Sequence, residues 1–264
     1  MHEPNSPDPG GGGSFGSTWT PCTLRKAMAG QFEAVGVLKA HPKTKVYLDG
    51  TRSGWLGAGD AADRLSQAGI AAADGFFLNA SNYESDERLV KYGSWVAKCI
   101  WFADPSSGSW GAGHSEWCGS QYSPASPDDF STWALTDQWY ADNVESQTWV
   151  PYPGDAGLEH FVIDSSRNGV GPWQATPEQL ALGDVQAWCN PPARGAGKRP
   201  SSETANALLD AYLWIKVPGE SDGECNRWAP AGSPDPVRMM EDPAAGAWFP
   251  EMALELAKNA NPSL

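Results

Sequence analysis

Residues 213–225, LWIKVPGESDGEC, set an ammonium, Lys216, and two carboxylates, Glu220 and Asp222, on one loop at the end of an apolar run. Gly219 and Gly223 flank the acids and permit a tight backbone there. Carboxylates beside an ammonium can hydrogen-bond sugar hydroxyls and hold a water for attack at an anomeric carbon. An acidic loop of this kind also serves as a calcium-binding turn or a solvated bend, so its meaning depends on its surroundings.

Those surroundings favour carbohydrate. The chain holds 14 Trp in 264 residues, many among Gly, Ser, Asp and Pro rather than in periodic apolar segments. Indole faces stack on the apolar faces of sugar rings, while a Trp packed under a long loop serves the fold alone. The formal net charge of −14 repels phosphate backbones and anionic membrane surfaces, so nucleic acid and membrane are not expected partners. No apolar run approaches the roughly 20 residues of a membrane span.

The five Cys form no CxxC pair and the four His are scattered, so no metal or cofactor is called for. Local pairing of Cys99 with Cys118 and of Cys189 with Cys225 closes loops worth roughly 3 to 4 kcal/mol each. Such bridges imply an oxidising compartment and leave Cys22 without a partner.

The elements that must position these groups follow a repeating grammar. Residues 45–50 (KVYLDG), 75–79 (GFFLN), 160–164 (HFVID) and 211–217 (AYLWIKV) are short apolar runs of the kind that make strands buried on both faces. Helical patterns lie between them, at 60–68, at 86–103 and from Thr176 onward, where Thr-Pro-Glu-Gln marks a capped start. A further helical spacing covers 23–40, and a last helix runs from about 247 to 259 with Pro250 in its first turn. Alternating strands and helices predict parallel pairing, hence an α/β barrel or an open α/β sheet. The strands end in Asp49, Asn79, Asp164 and the Lys216–Glu220–Asp222 group, on the edge where parallel α/β folds bind ligands. Residues 1–21, Pro- and Gly-rich, read as a flexible lead-in. Residues 104–158, with Trp110, Trp117, Trp133, Trp139 and Trp149, read as an ordered insertion that walls a site.

WIKVPGESDG, together with VYLDGTRSGW (46–55), FFLNASNY (76–83), HFVIDSSRNGVGPW (160–173), WCNPPARGAGKRPS (188–201) and AGAWFPEMALELAKNANP (245–262), resembles the C-terminal portion of the catalytic domain of glycoside hydrolase family 6, the cellobiohydrolases and endo-β-1,4-glucanases. The resemblance implies an α/β fold, a partial, distorted parallel barrel over 22–264 that lacks early strands, with unpaired strand edge exposed. It implies a secreted monomer, its signal peptide not present in this chain, acting on cellulose or cello-oligosaccharides. Trp55, Asn82, Trp188, Lys216 and Glu220 would bind glucosyl units, joined by Arg52 where the family usually has His. Asp222 would be the catalytic base and Asp49 a supporting carboxylate, while Asp164, Arg167 and Asn168 would mainly hold strand ends.

Family members hydrolyse β-1,4-glucosidic bonds with inversion, which needs an acid and a base carboxyl roughly 6.5 to 9.5 Å apart. The family's donor, the Asp of an E-P-D motif on an earlier strand, has no recognisable counterpart upstream of Asp49. Three readings follow: a glucan hydrolase, a catalytically inactive glucan-binding remnant that lacks the proton donor, and a non-functional truncated product whose core lacks early barrel strands.

Overall fold

A computed structural model describes Gly30 and residues 33–148 and 150–264. The lead-in at 1–21, Cys22, half of the first helical spacing and Trp149 lie outside the described residues. Residues 33–39 are helical. They precede β1 (Tyr47–Asp49), α1 (Ala58–Gln67), β2 (Gly75–Leu78), α2 (Asp86–Ala103), α3 (Trp133–Tyr140), β3 (Phe161–Asp164), α4 (Pro177–Ala181), β4 (Leu209–Leu213) and α5 (Pro250–Lys258).

The four strands form one parallel sheet in the order β1-β2-β3-β4. Leu48 pairs with Phe76, Phe77 with Val162 and Ile163 with Tyr212. Spatial order equal to chain order means that every crossover advances one strand in the same direction. That is how the wall of a barrel is wound; a doubly wound sheet reverses direction at a switch point. Of the two expected architectures, the strand order therefore selects an arc of barrel. The outer edge of β4 is partly covered, because Ser201 and Tyr212 exchange two backbone hydrogen bonds.

The apolar runs explain the burial. All four residues of β3 are buried, as are three of four in β2, and Phe76 stacks on Phe161 with ring centroids 5.5 Å apart. α2 starts where Ser85 accepts the Arg88 N–H and Asp86 and Glu87 meet the positive end of the helix. It then lays Leu89, Tyr92, Gly93, Val96 and Ile100 against the sheet and α1. Gly93 is required there, since a Cβ would sit 2.7 Å from the Phe161 ring. Truncating a ring such as Phe161 in this core costs about 3 to 5 kcal/mol. α4 carries the full capping box between Thr176 and Gln179, and α5 has Pro250 in its first turn.

The insertion is tied at its root by the bond from Cys118 to Cys99 of α2. Its aromatics depart from expectation. Trp133 is buried and packs on Trp95 at 5.1 Å, and Trp139 meets Phe102 edge-on. Trp110 and Trp117 are exposed, but they stack on each other at 5.7 Å, and His114 covers Trp117 at 3.7 Å. Trp133 and Trp139 thus join the same apolar core as the sheet and α2, and Trp110 and Trp117 spend their faces on each other. The short stretch 120–122 reaches the strand-end edge: Gln121 Nε2 donates to the carbonyls of Ser53 and Leu56, and Tyr122 Oη donates to that of Trp55, all at 2.8 Å.

Candidate active site

The C-terminal ends of the strands carry an unusual density of left-handed backbone. Thr51, Asn79, Ser81 and Asn190 are four of the seven non-glycine residues with positive φ among the described residues. A β-branched residue such as Thr51 at φ 66° holds such a conformation only where surrounding structure over-determines it, which is a mark of functional loops.

Buried polar groups supply that determination. Asp164, at the end of β3 and 1% exposed, accepts the backbone N–H of Ser81 and of Lys216 at 3.1 Å and that of Ser166 at 3.0 Å. It thereby ties together the loops that follow β2, β3 and β4. Asn79 Nδ2 donates to the Asp164 carbonyl at 2.9 Å, and its Oδ1 accepts the Glu84 N–H at 3.0 Å. Asn168 donates to the Glu84 carbonyl and to Asp86 Oδ1. Asp164 and Asn168 hold strand ends, as the sequence suggests.

Arg167 does more than that. Its Nη1 lies 2.9 Å from both oxygens of Asp222, its Nη2 donates to the Ser81 carbonyl, and its guanidinium lies 4.6 Å above the Tyr83 ring. Tyr83 Oη donates to Asp222 Oδ2 at 3.2 Å, and the Asn190 N–H donates to the same oxygen at 3.0 Å. Three elements thus converge on one carboxylate. Burial, first, and the facing Asp222 charge push the Tyr83 phenol well above its ordinary pKa, which keeps it a proton donor to Asp222.

Asn190 is the hub of the Asp222 loop. It is fully buried; its Oδ1 accepts the Asp222 N–H at 2.7 Å, and its Nδ2 donates to Ser221 Oγ, the Gly223 carbonyl and Asp242 Oδ2. The adjacent Cys189 is bonded to Cys225, so Trp188, Asn190 and the Asp222 loop are held as one piece.

The other residues singled out in the sequence lie as follows. Lys216 Nζ is 3.8 Å from Glu220 Oε2 and 3.4 Å from the Ser221 carbonyl. Trp55 and Trp188 are 55% and 43% exposed, so both indoles are open for stacking. Asn82 is half-buried and its Nδ2 donates to the Ala80 carbonyl. Arg52 is anchored to buried Glu84 through Nη1 at 3.0 Å, so part of its donor fork is already taken. Asp49 reaches solvent and accepts the Thr51 N–H at 2.8 Å. The protein around its carboxylate still raises its pKa by desolvation, and the Thr51 N–H offsets this only in part.

Tyr83 and Asn190 are absent from the residues singled out in the sequence, and Arg167 is read there as structural. The available signal was chain position: Tyr83 and Arg167 fall within the motif stretches that follow the ends of β2 and β3, and Asn190 within the stretch 188–201. Among the described residues, one trio, Cys225, Asp235 and Asp242, brings potential metal-ligand atoms within 4.8 Å of one another. The Cys225 sulfur is bonded to Cys189, so it offers no thiolate to a metal.

The family model for glycosyl hydrolases family 6 matches residues 22–260. The chain belongs to this family. Endoglucanase A of Cellulomonas fimi is 30% identical over 238 residues, 88% of this chain and 35% of the relative. A probable 1,4-beta-D-glucan cellobiohydrolase C of Aspergillus fumigatus is 43% identical over 119 residues, 43% of this chain and 24% of the relative. The endoglucanase Cel6 structure from Mycobacterium tuberculosis, in complex with methyl-cellobiosyl-4-deoxy-4-thio-beta-D-cellobioside, superposes with a TM-score of 0.58 at 29% identity. That superposition covers 91% of this chain and 56% of the other. This family 6 chain therefore spans about a third of the curated endoglucanase and a little over half of the solved one.

Proposed function

We propose that this family 6 chain binds cello-oligosaccharides across the C-terminal edge of its sheet and that Asp222 is the base of an inverting β-1,4-glucan hydrolysis. One observation carries the reading: Arg167, Tyr83 and Asn190 all aim donors at Asp222, while the indoles of Trp55, after β1, and of Trp188, next to the Cys189–Cys225 bridge, stay open. Fixed donors hold the carboxylate in one orientation, as a base that must aim a water at an anomeric carbon requires. Trp55 and Trp188 stack on pyranose faces, and Lys216, Glu220, Asn82 and the remaining donors of Arg52 meet hydroxyls. Asp49, whose proton affinity is raised, supports the acid side of the reaction. The relatives named endoglucanase and cellobiohydrolase support glucan as the substrate class, and the two disulfides support an extracellular setting. The reading needs no cofactor and treats the chain as a monomer.

A second reading is a glucan-binding chain without turnover. It is favoured by the commitments of the strand-end acids: Asp164 and Asp222 are held by N–H and O–H donors, and Glu220 faces Lys216.

Reducing-sugar release from soluble β-1,4-glucan, beside oligosaccharide binding, separates the two. Release that disappears in Asp222→Asn supports hydrolysis with Asp222 as base. Binding without release supports the second reading, and a chain that neither binds nor cleaves overturns both.

A further inference from the structure

Gly219, Glu220 and Ser221 run antiparallel to Ala247, Trp248 and Phe249. The Ser221 N–H donates to the Ala247 carbonyl at 2.9 Å and the Phe249 N–H to the Gly219 carbonyl at 2.8 Å, with Glu220 directly opposite Trp248. Directly opposed residues of an antiparallel pair send their side chains to the same face. Trp248 therefore stands beside Glu220, and through it beside Lys216, whose Nζ is 3.8 Å from the Glu220 carboxylate.

Its setting is that of a seated but open ring. Phe249, the next residue, is 1% exposed and belongs to the core under α5, whereas Trp248 is 58% exposed. The six-membered ring rests on Gly219: a Cβ there would lie 2.6 Å from Cζ3 and 2.7 Å from Cη2 of the indole, and Gly219 has φ 95°. A glycine in a left-handed turn thus makes room for the ring and holds it. Trp110 and Trp117 differ, because their faces cover one another; no ring stacks on Trp248 among the described residues.

A fixed, half-open indole next to a carboxylate and an ammonium joins the two contacts a pyranose uses, an apolar face for its C–H groups and charged partners for its hydroxyls. We propose that Trp248 is a further glucosyl-binding platform, extending the oligosaccharide site past Lys216 and Glu220. The proposal rests on the cello-oligosaccharide reading above.

The test is calorimetric titration of cellohexaose into the wild-type chain, Trp248→Ala, Trp248→Phe and Trp55→Ala, joined to mass-spectrometric mapping of tryptophan oxidation in the wild type with and without the sugar. Expected are about five- to tenfold weaker binding for Trp248→Ala, the loss of one aromatic–sugar contact, smaller loss for Trp248→Phe, and protection of Trp248 from oxidation. Wild-type affinity in Trp248→Ala with weakened Trp55→Ala overturns this platform and leaves the site reading standing. Unprotected Trp248 in a saturated wild type also overturns it, whatever the fold of the variants. A wild-type chain that does not bind cellohexaose overturns the site reading and this proposal together.

Discussion

One nitrogen of Arg167, Nη1, lies 2.9 Å from both carboxylate oxygens of Asp222, and the two side chains are 1% and 7% exposed. A buried pair of this kind is weak evidence of net stabilisation, because desolvating both charges offsets most of their attraction. Removing one partner has a large effect, since the other charge stays buried and alone. Arg167→Ala is expected to cost about 3 to 5 kcal/mol, read as a lowered midpoint in urea. Arg167→Lys, which keeps the charge but loses the planar fork, should lose less. Equal stability of wild type and Arg167→Ala would show that Asp222 finds its orientation elsewhere.

Asn190 makes the second prediction. With φ 38° and hydrogen bonds to both sides of the Asp222 loop, it serves conformation and contact together. Asn190→Ala strands the Asp222 N–H and meets a backbone that Ala adopts poorly, for an expected loss of about 2 to 4 kcal/mol. Asn190→Gly relieves the backbone but not the hydrogen bonds, and should fall between the two. Should Gly prove as damaging as Ala, the backbone contribution is negligible.

Cys189–Cys225 closes a separation of 36 residues, for which the chain-entropy relation gives about 4 kcal/mol. Because Cys189 adjoins Asn190, the paired Cys189→Ser, Cys225→Ser chain should lose oligosaccharide affinity as well as stability. Cys99–Cys118 closes 19 residues between α2 and the insertion, worth about 3 kcal/mol. Its removal should lower the melting temperature and spare the affinity of the folded chain. Equal loss of affinity in the two variants would contradict the assignment of the first bridge to the site.

How much of this was legible in the chain depends on which signal each element leaves. The cap at Thr176, the proline at the start of α5 and the span of α2 leave local signals, and all appear where the sequence puts them. The strand expected at 211–217 slips: β4 runs Leu209–Leu213. Trp214 and Ile215 continue the apolar run, yet the Lys216 N–H turns to Asp164 Oδ2, a partner 52 residues away that no local pattern reveals. The packing of the insertion's Trp133 was hidden for the same reason, since its contact with Trp95 of α2 exists only in three dimensions. Asp222 stands out in the sequence through its motif, whereas Tyr83, Arg167 and Asn190 come from three other loops and meet it only in the folded chain.

Asp242 yields the pH dependence. It is 7% exposed, its Oδ2 accepts Asn190 Nδ2 at 2.9 Å, and its Oδ1 is buried without a hydrogen-bond partner, as is Asp235 Oδ2. Burial is the main cause that pushes its carboxyl from 3.8 up to about 6; the Asn190 donor and the Arg238 charge oppose this and the Asp235 charge adds to it. Arg227, bonded to Asp235 and Asp184, and the Arg238–Glu255 pair complete the charged surroundings. The folded chain holds this proton more tightly than the unfolded one, so between about pH 4 and 6 it binds more protons than the unfolded chain does. The stability contributed by protonated Asp242 is therefore full below the unfolded value and lost as pH rises through 6. Melting temperatures of wild type and Asp242→Asn, taken from pH 4 to 7, should diverge across that window, the wild type losing ground with rising pH relative to the variant. Parallel curves would show that Asp242 does not carry this proton.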